Sequence, residues 1–252
     1  MQPRAGIQER ARGVMGALAA CLPPALVAPA LIAGREDPVE TALVIAFVIL
    51  SLALHEVAHG WVALQCGDTT ARDLGRLSLN PIVHIDPIWT VIVPALTYFA
   101  GGFLFGGAKP VPVDFRRLRH PLRDMALVAI AGPLTNLILA ALFLVAWKAA
   151  VWGGHYPEEA LLPRVLSGTL AFNAILFVFN LIPIPPLDGS RIMTWLLPPG
   201  MRESYVSLER FGMILIIALL FFVPPFQRLY WGGFHTTIRF LETITGTHAS
   251  WS

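Results

Sequence analysis

An apolar run from Thr41 to Leu64 carries three ionisable side chains, His55, Glu56 and His59, and no other stretch limits the chain as tightly. Ionisable groups are costly in lipid unless they face a partner or a cavity. The run reads as a helix spanning about Thr41 to Cys66. Residues four apart share a helix face, so His55 and His59 can present two imidazoles to one metal ion. Glu56 lies beside them, in the H-E-x-x-H order that lets a glutamate hold or deprotonate a water at the metal. The plainer alternative is a membrane helix whose polar residues are simply buried against its neighbours.

The rest of the chain agrees with a membrane setting. Of its 252 residues, 56% are hydrophobic and 13% charged, and the mean hydropathy is +0.65, too apolar for a soluble domain of this size. The formal net charge of +2 says little about partners, and nucleic acid is not expected among them. Cys21 and Cys66 form no C-x-x-C pair, so neither a disulfide framework nor a thiolate zinc site is indicated; both read as small apolar residues.

In chain order, Arg4, Arg10 and Arg12 precede an apolar stretch from Val14 to Ala33. That stretch is read as a retained first helix, kinked at Pro23-Pro24, with a cleaved signal peptide as the alternative. The loop Gly34–Glu40 follows, and then the H-E-x-x-H helix. Arg72 and Arg76 beyond it put that end in the cytoplasm by the positive-inside rule. Alternation around Arg76-Leu77-Ser78-Leu79 predicts a short strand near the membrane surface. His84 is either a metal ligand or a polar residue at the interface. Residues 88–105 are long enough to cross, yet Arg72 and Arg76 precede them and Lys109, Arg116, Arg117, Arg119 and Arg123 follow. Two positive flanks favour a re-entrant segment, or a pair of short half-segments packed against protein. Pro110 and Pro112 make 109–113 extended.

Met125 to Val151 is the next crossing, and Asn136 within it needs a buried partner. Trp147 and Trp152 fall where an aromatic belt would lie. Leu166 to Ile182 runs into Pro183, Pro185 and Pro186, which break the helix just before Asp188. Broken backbone at membrane depth is tolerated only where it lines a cavity or is buried in protein, and a carboxylate there demands a partner. Residues 198–210 read as cytoplasmic, Phe211 to Val223 as a last crossing, and 226–252 as an interfacial tail.

A catalytic zinc takes three protein ligands and leaves one position open. His55 and His59 supply two, and Asp188 is the candidate third. Zinc lowers the pKa of water toward neutrality, and Glu56 can take its proton and pass it to a leaving amine. Asn180 either donates to the oxyanion of a tetrahedral intermediate or ties two helices together.

His55-Glu56-Val57-Ala58-His59 in an apolar helix, followed by Asn180-x-x-Pro183-x-Pro185-x-x-Asp188-Gly189, resembles the site-2 protease family of intramembrane zinc metalloproteases. Gly132-Pro133-x-x-Asn136 also resembles that family, and the likeness covers residues 41–225. The resemblance implies one zinc ion per chain on His55, His59 and Asp188, with Glu56 as catalytic acid and base and Asn180 as a substrate-orienting or oxyanion residue. It further implies cleavage of a peptide bond in a transmembrane segment of another protein, after a first cut by a separate site-1-type protease. The chain looks like a minimal member, without a PDZ insert or a CBS pair.

The expected architecture is a single all-α polytopic membrane domain over 1–252, with core 41–225 and about five to six transmembrane helices plus a re-entrant or short β segment near the site. The expected location is a prokaryotic inner membrane, with the site toward the cytoplasm and the lipid bilayer and a transmembrane substrate as partners. Two competing readings are a catalytically silent relative that binds membrane helices and a metal or proton transporter. All four chemical residues are present, and no repeat is visible, which counts against both.

Overall fold

Asp37 opens the first helix among the described residues, accepting a hydrogen bond from the Val39 N–H at 2.8 Å, with Pro38 in the first turn where its missing N–H costs nothing. The computed structural model describes residues 37–92, 96 and 107–246. Helix α1 runs Pro38–Gln65, starting earlier than the apolar pattern because of that cap. A single turn, α2 (Thr70–Asp73), follows, then α3 (Pro121–Trp152) and α4 (Leu161–Asn180). Beyond the proline-rich break come α5 (Asp188–Leu196), α6 (Pro199–Val206), α7 (Glu209–Phe222) and α8 (Pro224–Thr245).

Three of these, α1, α3 and α4, are long and apolar enough to cross a membrane. Helices α6 and α7, bent by 73° at a short break, make up to four if taken as one span. The segment Val14–Ala33, expected as a first helix, lies outside the described residues, as does most of 88–105; a π-helical turn, Pro87–Ile92, leads into the latter. The described residues are mostly helical and contain no strand.

Helix α3 is central, packing on α1, α4, α5 and α8. Its small residues allow close approach, and Ala140, Leu144, Leu170 and Ala174 form a buried α3–α4 seam that Ile238 and Leu241 of α8 complete. Most of the stretch expected as a tail is therefore a helix packed on the bundle. Lys148 of α3 donates to the carbonyls of Thr245 and Gly246 at 3.3 and 3.1 Å, satisfying the C-terminus of α8. Trp147 packs inward against Ala150 and Leu166, so it serves the core rather than a belt; Trp152 is exposed, with the Lys148 ammonium over its ring. At the same end of the bundle, buried Glu40 of α1 pairs with Arg164 of α4.

The strand predicted around Arg76-Leu77-Ser78-Leu79 does not form. Residues 76–78 and 107–114 carry no regular structure, and Pro110 and Pro112 remove alternate donors from the second segment. The N–H groups of Lys109, Val111 and Asp114 go instead to the His84 carbonyl, a Glu56 oxygen and an Asp68 oxygen. Arg76 Nη2 donates to the Lys109 carbonyl at 3.0 Å, so a side chain does what a ladder would have done. Leu77 and Val111 converge on Gly60 of α1, where an added Cβ would lie 2.6 and 2.8 Å from their methyls. The unladdered segments are thus seated against the helix that bears the histidines.

Candidate metal centre

His55 and His59 stand one turn apart on the buried face of α1, with ring centroids 4.6 Å apart and nearly perpendicular planes. Helix α3 supports both rings. His55 Nδ1 lies 2.6 Å from the Asn136 side-chain oxygen, and His59 Nδ1 lies 2.7 Å from the Val128 carbonyl. Both partners accept, so both Nδ1 atoms donate, and the two Nε2 lone pairs point the other way. Between Val128 and Asn136, at one-turn spacing from each, sits Gly132. A Cβ there would lie 2.5 Å from His55 Cε1 and Nε2, and closer still to His59 Nε2. The glycine is required because the imidazoles lie directly on its backbone.

Asp188 reaches the same point from the opposite side. Its Oδ2 is 3.3 Å from His55 Nε2 and 3.4 Å from His59 Nε2, and the two Nε2 atoms are 3.0 Å apart. Gly189 lets α5 begin here, since a Cβ would stand 2.5 Å from the Leu181 carbonyl carbon and 2.7 Å from the Ile182 oxygen. The break Pro183–Leu187, with a cis Pro185–Pro186 peptide, bends the chain from the end of α4 to this position.

Three electron-pair donors thus face one another. Asp188 Oδ2 is buried and has no hydrogen-bond partner, an arrangement that repels itself unless a cation lies among the three atoms. Bonds of about 2.05 Å in a tetrahedron imply ligand–ligand edges of about 3.3 Å. The observed triangle of 3.0, 3.3 and 3.4 Å is close to that size, and His55, His59 and Asp188 are together the one such candidate group among the described residues. These residues fit a zinc ion of open coordination.

Glu56 points to the extended segment, where its Oε2 accepts the Val111 N–H at 2.8 Å. Asn180, at the end of α4, donates its side-chain amide to the Leu176 carbonyl at 3.1 Å. His84 is buried away from the triad, with Nε2 donating to the Ser78 carbonyl at 2.8 Å. It braces the 76–86 loop.

No protein-family model matches the chain. Among curated proteins, "Putative zinc metalloprotease YwhC" of Bacillus subtilis is 41% identical over 184 residues, covering 71% of this chain and 78% of that protein. The chain belongs to the site-2 protease-like family of zinc metalloproteases. Two further members of the family are similar at lower identity. "Putative zinc metalloprotease Rip2" of Mycolicibacterium smegmatis is 31% identical over 196 residues, 75% of this chain and 72% of that protein. Its namesake from Mycobacterium tuberculosis is 31% identical over 195 residues, 75% of this chain and 70% of that protein. No solved structure matches significantly.

Membership of this metalloprotease family agrees with the donor set, and the geometry adds residues that sequence reasoning passed over. Val111 acts through its backbone and so leaves no side-chain signal. Val128 likewise contributes a carbonyl. Asn173, which bonds to Asn136, did carry a signal: it is a polar amide in the apolar run of α4.

Proposed function

We propose that this metalloprotease hydrolyses peptide bonds within or near transmembrane segments of other membrane proteins. The observation that carries the reading is the convergence of His55, His59 and Asp188 inside a bundle of membrane-length helices, with Glu56 next to the first histidine. In this reading the three residues hold one zinc ion, and Glu56 and Asn180 serve the chemistry. Bound zinc supplies Lewis acidity, which makes water nucleophilic near neutral pH.

Glu56 is the proton carrier. The Val111 N–H holds one of its oxygens and leaves the other free to accept a proton as water adds to the scissile carbonyl carbon. The same carboxyl then delivers that proton to the departing amine as the C–N bond breaks, so water ends divided between the new acid and the new amine. Asn180 keeps a second amide hydrogen beyond the one donated to Leu176, and this hydrogen is the candidate donor to the developing oxyanion. A transmembrane helix protects its own amides, so the substrate must unwind locally before attack. The extended 109–113 segment beside Glu56, through carbonyls not taken by Arg76, offers an unwound strand an edge to pair with. The reading includes an active site opening toward the cytoplasmic face of a bacterial inner membrane, and a substrate first trimmed by a separate protease.

The test uses the full chain in detergent or liposomes, a model transmembrane substrate and a zinc assay. Glu56→Gln should keep its zinc and lose activity by about 100-fold or more. Asp188→Ala should lose zinc. Parental cleavage by Glu56→Gln, or full zinc retention in Asp188→Ala, would sink the assignment.

A further inference from the structure

Behind His55 lies a polar chain that crosses three helices and returns to its own. Asn136 of α3 accepts from His55 and donates through Nδ2 to the Asn173 oxygen of α4 at 3.0 Å. Asn173 in turn donates through Nδ2 to the hydroxyl of Ser51 on α1 at 3.0 Å and to the Thr169 carbonyl at 2.9 Å. Ser51 donates to the Phe47 carbonyl at 2.8 Å and stands one turn before His55. Asn136 and Asn173 have no solvent exposure and Ser51 only 2%, so each of these amides must satisfy itself within the protein.

The chain has a direction, and one backbone atom sets it. A peptide carbonyl only accepts, so Thr169 O requires the NH2 end of Asn173. Asn173 must then turn its oxygen to Asn136, which must donate to it and turn its own oxygen to His55. His55 must therefore carry its hydrogen on Nδ1, leaving the Nε2 lone pair aimed at Asp188 and His59. Reversing Asn173 would set oxygen against oxygen at Thr169, and reversing Asn136 would set its oxygen against that of Asn173.

We propose that Asn173 is a positioning residue for the metal centre: acting through Asn136, it locks His55 in the tautomer whose Nε2 is free to bind metal. The inference rests on the reading of His55, His59 and Asp188 as zinc ligands. Outer partners of ligating histidines fix ring orientation in this way, and their loss typically weakens metal binding about 10- to 100-fold.

Zinc affinity of the purified full chain, by chelator competition, tests this across three variants. Asn173→Leu removes the direction of the chain and should weaken zinc about tenfold or more. Asn173→Thr, of similar volume, can donate its hydroxyl to Thr169 O and accept from Asn136, so it should restore most of the affinity. Leu170→Ala, which thins the same buried α3–α4 seam without touching a polar group, should destabilise the fold yet leave zinc affinity near parental. Histidine-labelled protein gives an independent readout: the parent should show a solvent-protected N–H at His55 Nδ1, and Asn173→Leu should lose that protection. Parental affinity in Asn173→Leu, equal weakening by Leu170→Ala, or an unprotonated Nδ1 in the parent would each overturn the inference. If Asn173→Leu fails to fold, the Nδ1 resonance of the parent still decides. A well-folded parent that binds no zinc would sink the metal reading itself, and this inference with it.

Discussion

Replacing Gly132 by alanine puts one methyl where the two imidazoles rest. The new Cβ would lie 2.5 Å from His55 Cε1 and Nε2, against an ordinary contact of about 3.4 Å, so something must move by about 0.9 Å. The rings have little freedom to retreat. Their Nδ1 atoms are tied at 2.6 and 2.7 Å to Asn136 and Val128, both on the helix that carries the glycine. A ring shift therefore breaks an inner hydrogen bond, while a helix shift disturbs the α3–α4 seam of Leu144 and Leu170. Overpacking of this kind costs about 1–3 kcal/mol. Because the crowded atoms belong to the imidazoles proposed to bind zinc, the cost should be felt in metal binding, and each 1.4 kcal/mol is about tenfold in affinity. Gly132→Ala should thus bind zinc about 10- to 100-fold more weakly than the parent in chelator competition, with helical content retained by circular dichroism. Zinc affinity within threefold of the parent would refute the reasoning, since the rings would then have room that the packing denies them.

Two other positions give sharp expectations. At Gly212 of α7 an added Cβ would run into the Pro185 carbonyl, lying 2.6 Å from its carbon, so Gly212→Ala should push the proline break away and lower both the thermal midpoint and zinc occupancy; an unchanged midpoint would refute the close approach. Cys66 has its thiol pushed up by burial, with Asp124 adding to the effect, so less of it is thiolate at neutral pH and maleimide should label it more slowly than a free cysteine, as a labelling time course would show.

How far the fold was legible depended on which atoms carried the information. His55, Glu56, His59 and Asp188 could be read because ionisable side chains in apolar sequence announce themselves, and the structure brings His55, His59 and Asp188 together. Helices α1, α3, α4 and α7 followed from hydropathy, with ends displaced by one to five residues where caps such as Asp37 or the proline break decided. The failed strand at 76–79 shows the limit of alternation. Period-two pattern describes the side chains, whereas a ladder needs donors on the neighbouring segment, and Pro110 and Pro112 had removed them. Trp147 was misassigned because a tryptophan near a helix end does not say which face it occupies. The rule that led Asn136 to be assigned a buried partner applies equally to Asn173, and the partner of each proved to be the other.

Val128, Gly132 and Asn136 lie on a single stripe of α3, and that stripe touches both histidines. The two imidazoles are consequently not adjusted one at a time. Turning α3 by a single residue's worth, about 100°, would withdraw the carbonyl, the hollow and the amide together. The site therefore works as a latch with one bolt: whatever rotates that helix takes the support from both imidazoles in one step.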